Sequence, residues 1–263
     1  MVLRDKVAVI YGAGGAVGAA VARSFAREGA TVFLTGRHLD AVERVAKEII
    51  AAGGVAEAAQ IDALDEKAVE DHLVRVIKKA RRIDVSFNAI GILQQGIQGI
   101  PLTHLSVESF MLPVTTYAQG HFVTGKAAAR RMIEQHSGAI LMHTPEPARL
   151  GAPLVGGMGP AWAAMENLCR SLSAECAAHG VRVVCLRTTG ISETPVIDVV
   201  YQLHAKAAGI TRAQFQSMME AMTHRKRSTT LQELSDVAAF VASDRAGAMT
   251  GTIANLTGGV TVD

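Results

Sequence analysis

The sequence predicts an α/β fold: a single domain in which a doubly wound parallel sheet carries helices on both faces. Three observations predict it. Strand-like and helix-like segments alternate from Lys6 to Leu186, and the first pair is joined by a glycine-rich turn. Hydrophobic residues make up 49% of the chain against 19% charged and 4% aromatic, which suits Ala/Val/Ile-rich parallel strands under Ala-rich helices. At 263 residues such a sheet can form one domain with a full core.

Residues 6–11 are a short β-branched run ending in Gly-Ala-Gly-Gly, and 16–28 carry helical periodicity up to Gly29. The unit recurs as strand 31–35 with helix 40–52, and as strand 55–61 with helix 65–80. It continues with strand 83–88, a helix near 116–135, strand 139–143, a helix from about 159 to 179, and strand 181–186. Alternation at this length means a parallel sheet with right-handed crossovers. The segment 194–230 breaks the series: 197–208 and 211–223 read as two helices rich in Met and Gln, inserted between the sixth strand and the last helix. Such an insertion is expected to cover the carboxyl ends of the strands, where ligands bind in these sheets; a plain packing insertion reads equally from the sequence.

Composition excludes several functions. A formal charge of +2, with basic residues spread along the chain, leaves no footprint for nucleic acid. The uncharged stretch 7–22 contains four glycines and reads as neither a signal peptide nor a membrane span. Cys169, Cys176 and Cys185 are odd in number and lack CxxC spacing, so they read as reduced, buried thiols in a cytoplasmic protein. The nine histidines show neither HxH nor HExxH spacing, so no metal is expected; Ser173 has no GxSxG elbow, and 224–227 reads as a solvated helix end.

The turn Gly12-Ala-Gly-Gly-Ala-Val-Gly18 follows the first strand and opens the first helix. There a pyrophosphate can sit on free backbone N–H groups at a positive helix end, which makes Gly12, Gly14, Gly15, Ala16, Val17 and Gly18 candidate binding residues of a Rossmann-type domain. Val17 departs from GxGxxG. The turn resembles TGxxxGxG of the short-chain dehydrogenase/reductase family, with Tyr11 for Thr and Ala16 for the middle Gly. The resemblance runs from Lys6 to Thr257-Gly258-Gly259 and includes Arg170-Ser-Leu-Ser-Ala-Glu175, which is similar to the family's active-site helix. It implies that Asp62 contacts an adenine, that Asn88-Ala-Ile-Gly91 stands for the NNAG motif, and that Thr189-Gly190 and Thr194 stand for PGxxxT, where the last Thr meets the nicotinamide carboxamide. The second strand ends Leu34-Thr35-Gly36-Arg37. Gly36 stands where an NAD enzyme offers an acid, and Arg37 can pair with a 2′-phosphate, so NADP(H) is expected over NAD(H).

In the family a Tyr gives its proton to the substrate oxygen, and a Lys four residues on lowers its pKa and binds the ribose. Counted back from Arg170, those places hold Met158 and Trp162, and no YxxxK occurs in the sequence. A thioether has no proton, and an indole N–H does not release one near pH 7. The family's Ser falls at Pro145 or Glu146, and its helix Asn at Tyr117. Met158 and Trp162 are four apart and share a helix face. Candidate substitutes for the lost acid are Tyr117, Glu146 and His143.

Three readings stand at this stage. The first is an NADP-binding oxidoreductase of a small carbonyl or alcohol whose proton donor is replaced or not required. The second is a catalytically silent dinucleotide-binding module, a sensor or partner subunit. The third is a lyase or isomerase using Tyr117 or Glu146 in the same pocket. The resemblance also implies a homotetramer or dimer joined through the helices around 116–135 and 159–179, and the Met-rich insertion points to a modestly apolar small-molecule ligand.

Overall fold

A computed structural model describes residues 1–262. Its elements follow the chain as β1 (Val7–Tyr11), α1 (Ala16–Arg27), β2 (Thr31–Gly36), α2 (Leu39–Ala51), β3 (Val55–Gln60), α3 (Glu66–Ala80), β4 (Val85–Asn88) and α4 (Val107–Gln135). Then come β5 (Gly138–Pro145), α5 (Met158–Cys176), β6 (Val181–Thr188), α6 (Pro195–Ala208), α7 (Arg212–Met222), α8 (Leu231–Ala242) and β7 (Thr252–Leu256). The seven strands form one sheet in the order β3-β2-β1-β4-β5-β6-β7, and every pairing is parallel.

The chain reverses direction across the sheet between β1 and β4, so the cleft at that switch point opens beyond the carboxyl ends of the strands. Each central strand is buried on both faces. On β1, Ala8 and Ile10 pack with Phe25 of α1, Val45 of α2 and Leu234 of α8. Val7, Val9 and Tyr11 pack on the other side with Leu73 of α3, Met132 of α4 and Cys169 of α5. This two-sided burial is why the strands read as continuous apolar runs. No helix among the described residues is long and apolar enough to cross a membrane.

Two features differ from the sequence expectation. Helix α4 starts at Val107 and holds Pro113 in its interior, whereas proline normally ends a helical pattern. The Ser106 side chain caps its first turn through the Ser109 amide at 3.1 Å, which fixes the start upstream of the proline. The sheet also gains the edge strand β7 beyond the six expected. Its residues are mostly half-exposed, so the pattern that marks a central strand is missing.

Helices α6 and α7 form a hairpin turned at Gly209, which has φ 66°. Arg212 pairs with Asp198 at 2.7 Å, and the Tyr201 and Phe215 rings meet edge to face at 5.4 Å. The hairpin rests on the loop after β4: His204 Nε2 lies 2.9 Å from Gln98 Oε1. Beyond α7 the chain returns to the end of β6, where the Thr229 amide donates to Thr189 Oγ1 at 2.8 Å.

Candidate functional site

The glycine turn is set by its own packing. Gly12 has φ +72°, and a Cβ there would stand 2.5 Å from the Ala89 carbonyl oxygen; a Cβ on Gly18 would overlap the Gly12 carbonyl. Only glycine lets these two backbone segments meet. At the start of α1, Gly15 supplies no side-chain cap and the first turn holds no acid. Five other helices have side-chain caps, from Asp65, Ser106, Thr194, Thr211 and Thr230. The amides of Ala16, Val17 and Gly18 have no partner among the described residues. Unpaired amides at the positive end of a helix make a seat for phosphate.

At the end of β2, Arg37 is exposed and its guanidinium has no partner among the described residues, while its carbonyl accepts from Gln60 at 2.9 Å. Asp62, just past β3, is exposed and accepts from the Leu64 amide at 3.0 Å. Asn88 is buried and braces the loop after β4. Its Nδ2 donates to Thr124 Oγ1 at 2.9 Å and to the Gly120 carbonyl at 3.2 Å, and its Oδ1 accepts from the Ile90 amide at 3.0 Å. Gly91 faces open space. Thr194 caps α6, and its hydroxyl donates to the Ile191 carbonyl at 2.8 Å.

Met158 and Trp162 do share one face of α5, and that face is filled. They pack with Tyr117, Ile97, Val155 and Met165 in an apolar cluster, with the Tyr117 and Trp162 ring centroids 6.4 Å apart. Burial pushes the Tyr117 phenol up to about 12, against a smaller opposing effect of its hydrogen bond to the Ile92 backbone. From Ile92 a chain of bonds runs outward: Gln94 Nε2 donates to the Ile92 carbonyl at 2.7 Å, Gln98 Nε2 to Gln94 Oε1 at 2.7 Å, and Gln98 Oε1 meets His204. Tyr117 is thus tied into the wall of the cleft.

Pro145 ends β5, in register with Thr188 of β6. His143, two residues earlier, places Nε2 2.9 Å from Thr188 Oγ1. Burial pulls its pKa down to about 4, and His121 adds to the shift, so the ring is neutral at pH 7. Glu146 follows Pro145 in a short 3₁₀ turn, 6% exposed. Its Oε2 is sealed from solvent without a hydrogen-bond partner, and burial raises its pKa to about 7.

Two features escaped the sequence reading. Glu166, one turn past Trp162, is doubly bonded to Arg187 of β6: Nε to Oε1 at 2.7 Å and a terminal nitrogen to Oε2 at 2.6 Å. Thr144 of β5 also donates to Oε1, at 3.1 Å. The pair ties α5, β5 and β6 together beneath Met158 and Trp162. The second is Tyr201 of α6. Its hydroxyl lies 3.1 Å from the point a Cβ on Gly190 would occupy, it is hydrogen-bonded to the Ser228 side chain, and the Glu146 charge acts on it. The chain has only three tyrosines, so a search for any phenol within reach of the strand ends was the signal that could have found it.

Residues 12–261 match the sequence family described as enoyl-(acyl carrier protein) reductase. The cis-4-hydroxycyclohexanecarboxylate dehydrogenase of Sinomonas cyclohexanicum is 30% identical over 257 residues, covering 98% of this chain and 97% of that protein. The uncharacterized oxidoreductase YxbG of Bacillus subtilis (strain 168) is 29% identical over 259 residues, covering 98% and 92%. Among solved structures, NAD+-bound xylitol dehydrogenase superposes with a TM-score of 0.92 at 25% identity, covering 98% of this chain and 99% of that one.

Proposed function

Because this chain belongs to the short-chain dehydrogenase/reductase family, we propose that it is an oxidoreductase of a small carbonyl or alcohol that binds NADP(H) and moves the proton of the reaction with a group other than the family's tyrosine. The observation that carries this reading is the uncapped start of α1, where the unpaired amides of Ala16, Val17 and Gly18 follow a turn that only glycine can make. Family membership supports a nicotinamide dinucleotide as cofactor, and the residues present fit one. Those amides hold the pyrophosphate, Asp62 the adenine and Arg37 the 2′-phosphate; Gly36 beside Arg37 offers no acid to repel it. Gly190 and Thr194 stand at the nicotinamide end. With its hydroxyl proton given to Ile191, Thr194 serves there as an acceptor. The cofactor, when bound, supplies or takes up the hydride. The proton falls to the protein, and of Tyr117, His143 and Glu146 the last alone combines an unpartnered oxygen with a pKa near 7, the range in which a general acid is most effective.

A catalytically silent module is the second reading, favoured by the packing of Met158 and Trp162 against Tyr117. We also expect a homodimer or homotetramer joined through α4 and α5, in keeping with Val107, Leu112 and Phe122 left exposed along α4.

Titration with NADPH and NADH, followed by nicotinamide fluorescence, tests the cofactor. NADPH is expected to bind more tightly. Arg37→Ala should weaken NADPH by about tenfold or more, as for a lost charge-assisted hydrogen bond of about 1.5–3 kcal/mol, and leave NADH unchanged. An equal loss for both would remove the phosphate contact from Arg37. Absorbance of bound NADPH with a panel of ketones then separates the two readings: oxidation supports the reductase, and binding without turnover supports the silent module.

A further inference from the structure

The inserted hairpin is held to the rest of the protein by few apolar contacts. Helix α6 buries only Tyr201, His204 and Ala205, α7 buries no residue, and Val196, Met218 and Met222 are exposed. An element with so little buried apolar surface opens at lower free energy than the core. The two helices are joined to each other through Phe215 of α7, which meets the Tyr201 ring at 5.4 Å and the His204 ring at 5.3 Å.

The attachment to the loop after β4 is polar. His204, Gln98 and Gln94 are 8%, 4% and 3% exposed, although glutamine is mostly a surface residue. The direction of their bonds is fixed from the inner end. The Ile92 carbonyl can only accept, so Gln94 turns its N–H₂ to it; Gln94 Oε1 then takes Gln98 Nε2, and Gln98 Oε1 takes His204 Nε2 at 2.9 Å. His204 therefore carries its proton on Nε2. Beside this chain Gly99, at φ +79°, lies so close to α6 that a Cβ there would stand 3.0 Å from the Leu203 carbonyl oxygen. The Gly99 amide donates to the Leu154 carbonyl at 2.9 Å, which draws in the loop after β5. The same stretch, 92–99, places Ile97 in the cluster of Tyr117, Met158 and Trp162 and Ile92 against it.

We propose that Gln94, Gln98 and His204 are a latch: positioning residues through which the α6–α7 hairpin holds residues 92–99 over the Met158–Trp162 cluster, and whose release opens the way to the nicotinamide end of the site. The gating half rests on the dinucleotide reading given above. Ile197 and Tyr201 of α6 lie against Gly190, directly after β6, so a hairpin pinned at His204 also covers that strand end. A buried polar chain suits a latch better than apolar packing does. It fits in one register, since any shift leaves a buried donor or acceptor unpaired. Water takes up the freed groups once the hairpin lifts, which keeps the open form within reach.

Hydrogen exchange of the ligand-free protein, followed by mass spectrometry, tests the latch. His204→Leu removes the donor and leaves Gln98 Oε1 unpaired. It should speed exchange about tenfold or more in both 195–222 and 92–99 and leave β1 and β5 unchanged. His204→Gln keeps an N–H donor and should restore most of the protection. Gly99→Ala strains a positive φ and presses on Leu203, so it should loosen the same two segments by a second route and decides the matter if His204→Leu does not fold. Trp162 is the only tryptophan, and its quenching by acrylamide should rise in both loosened variants. The rate at which NADPH gains its bound fluorescence separates a latch from a purely structural part. It should rise roughly tenfold in His204→Leu, because the open form is then more populated, whereas damage to the site slows it. Exchange that stays as in wild type, that rises through the whole sheet, or that His204→Gln does not restore would overturn the latch. NADPH capture no faster than in wild type would overturn the gate. Wild-type protein that fails to bind NADPH would sink the dinucleotide reading, and the exchange pattern would still decide the latch.

Discussion

Glu166→Gln is expected to lower the stability of the chain by about 3–5 kcal/mol, because it breaks a buried ion pair by taking away the carboxylate that two nitrogens of Arg187 grip. The side chains of Glu166 and Arg187 are 4% and 3% exposed, and both carboxyl oxygens are in use. An amide in that place keeps one acceptor and turns an N–H₂ toward the guanidinium. Arg170 approaches the same carboxylate at 3.9 Å from an exposed position and cannot take over. The expected shift is roughly 6–20 °C in Tm for a domain of this size, read by circular dichroism in a thermal scan. Replacing both members together, as Glu166→Leu with Arg187→Met, should restore much of the loss, since a well-packed apolar pair often equals a buried ion pair. A Glu166→Gln protein within 1 °C of wild type would show that the pair is not sealed from water in solution.

Much of the fold could be read from local pattern. Val7–Tyr11 is buried at every position, so β1 is apolar without alternation, as a central parallel strand must be. Helices α1 and α6 are followed by Gly29 and Gly209, both at positive φ, a stop signal visible in sequence. The start of α4 was hidden because Pro113 reads as a terminator and because Val107 and Leu112 lie exposed, which erases the helical period there. β7 was hidden because an edge strand with half-exposed residues carries little apolar signal.

The proposed phosphate seat is legible because one contiguous turn builds it. The surroundings of Gly190 are not: Gly190, Tyr201 and Ser228 come together only through tertiary packing. Glu166 and Arg187 stand 21 residues apart and, taken singly, look like solvated charges. The positions at 158 and 162 could be found by counting, yet their chemistry could not, since a buried cluster and an open pocket use the same Met and Trp.

That difference sets the second large effect. The variant Met158→Tyr with Trp162→Lys, which writes the family's YxxxK into α5, is expected to lose more than about 3 kcal/mol of stability and to gain no ordinary ketone reductase activity. Removing a buried tryptophan costs about 3–5 kcal/mol in lost contacts and residual cavity. The lysine offered in its place finds Ile97, Tyr117, Val155, Ala161 and Met165 around it, and Glu166 one turn on already has both carboxyl oxygens held by Arg187. An ammonium there is unpaired, so it either loses its proton or forces the cluster open. Neither state gives the charged lysine that lowers a neighbouring tyrosine's pKa. Met158 is 1% exposed, so a phenol in its place overpacks the same cluster and adds about 1–3 kcal/mol. Thermal melting and NADPH oxidation with simple ketones measure both halves of the expectation. A double variant as stable as wild type that reduces ketones 10²-fold faster would mean that the cluster opens readily and that Met158 and Trp162 alone hold the family's chemistry in check. The expected outcome, an unstable protein without that gain, means that Met158 and Trp162 serve the packing of the Tyr117 cluster and that the family's chemistry cannot be restored by two side chains alone.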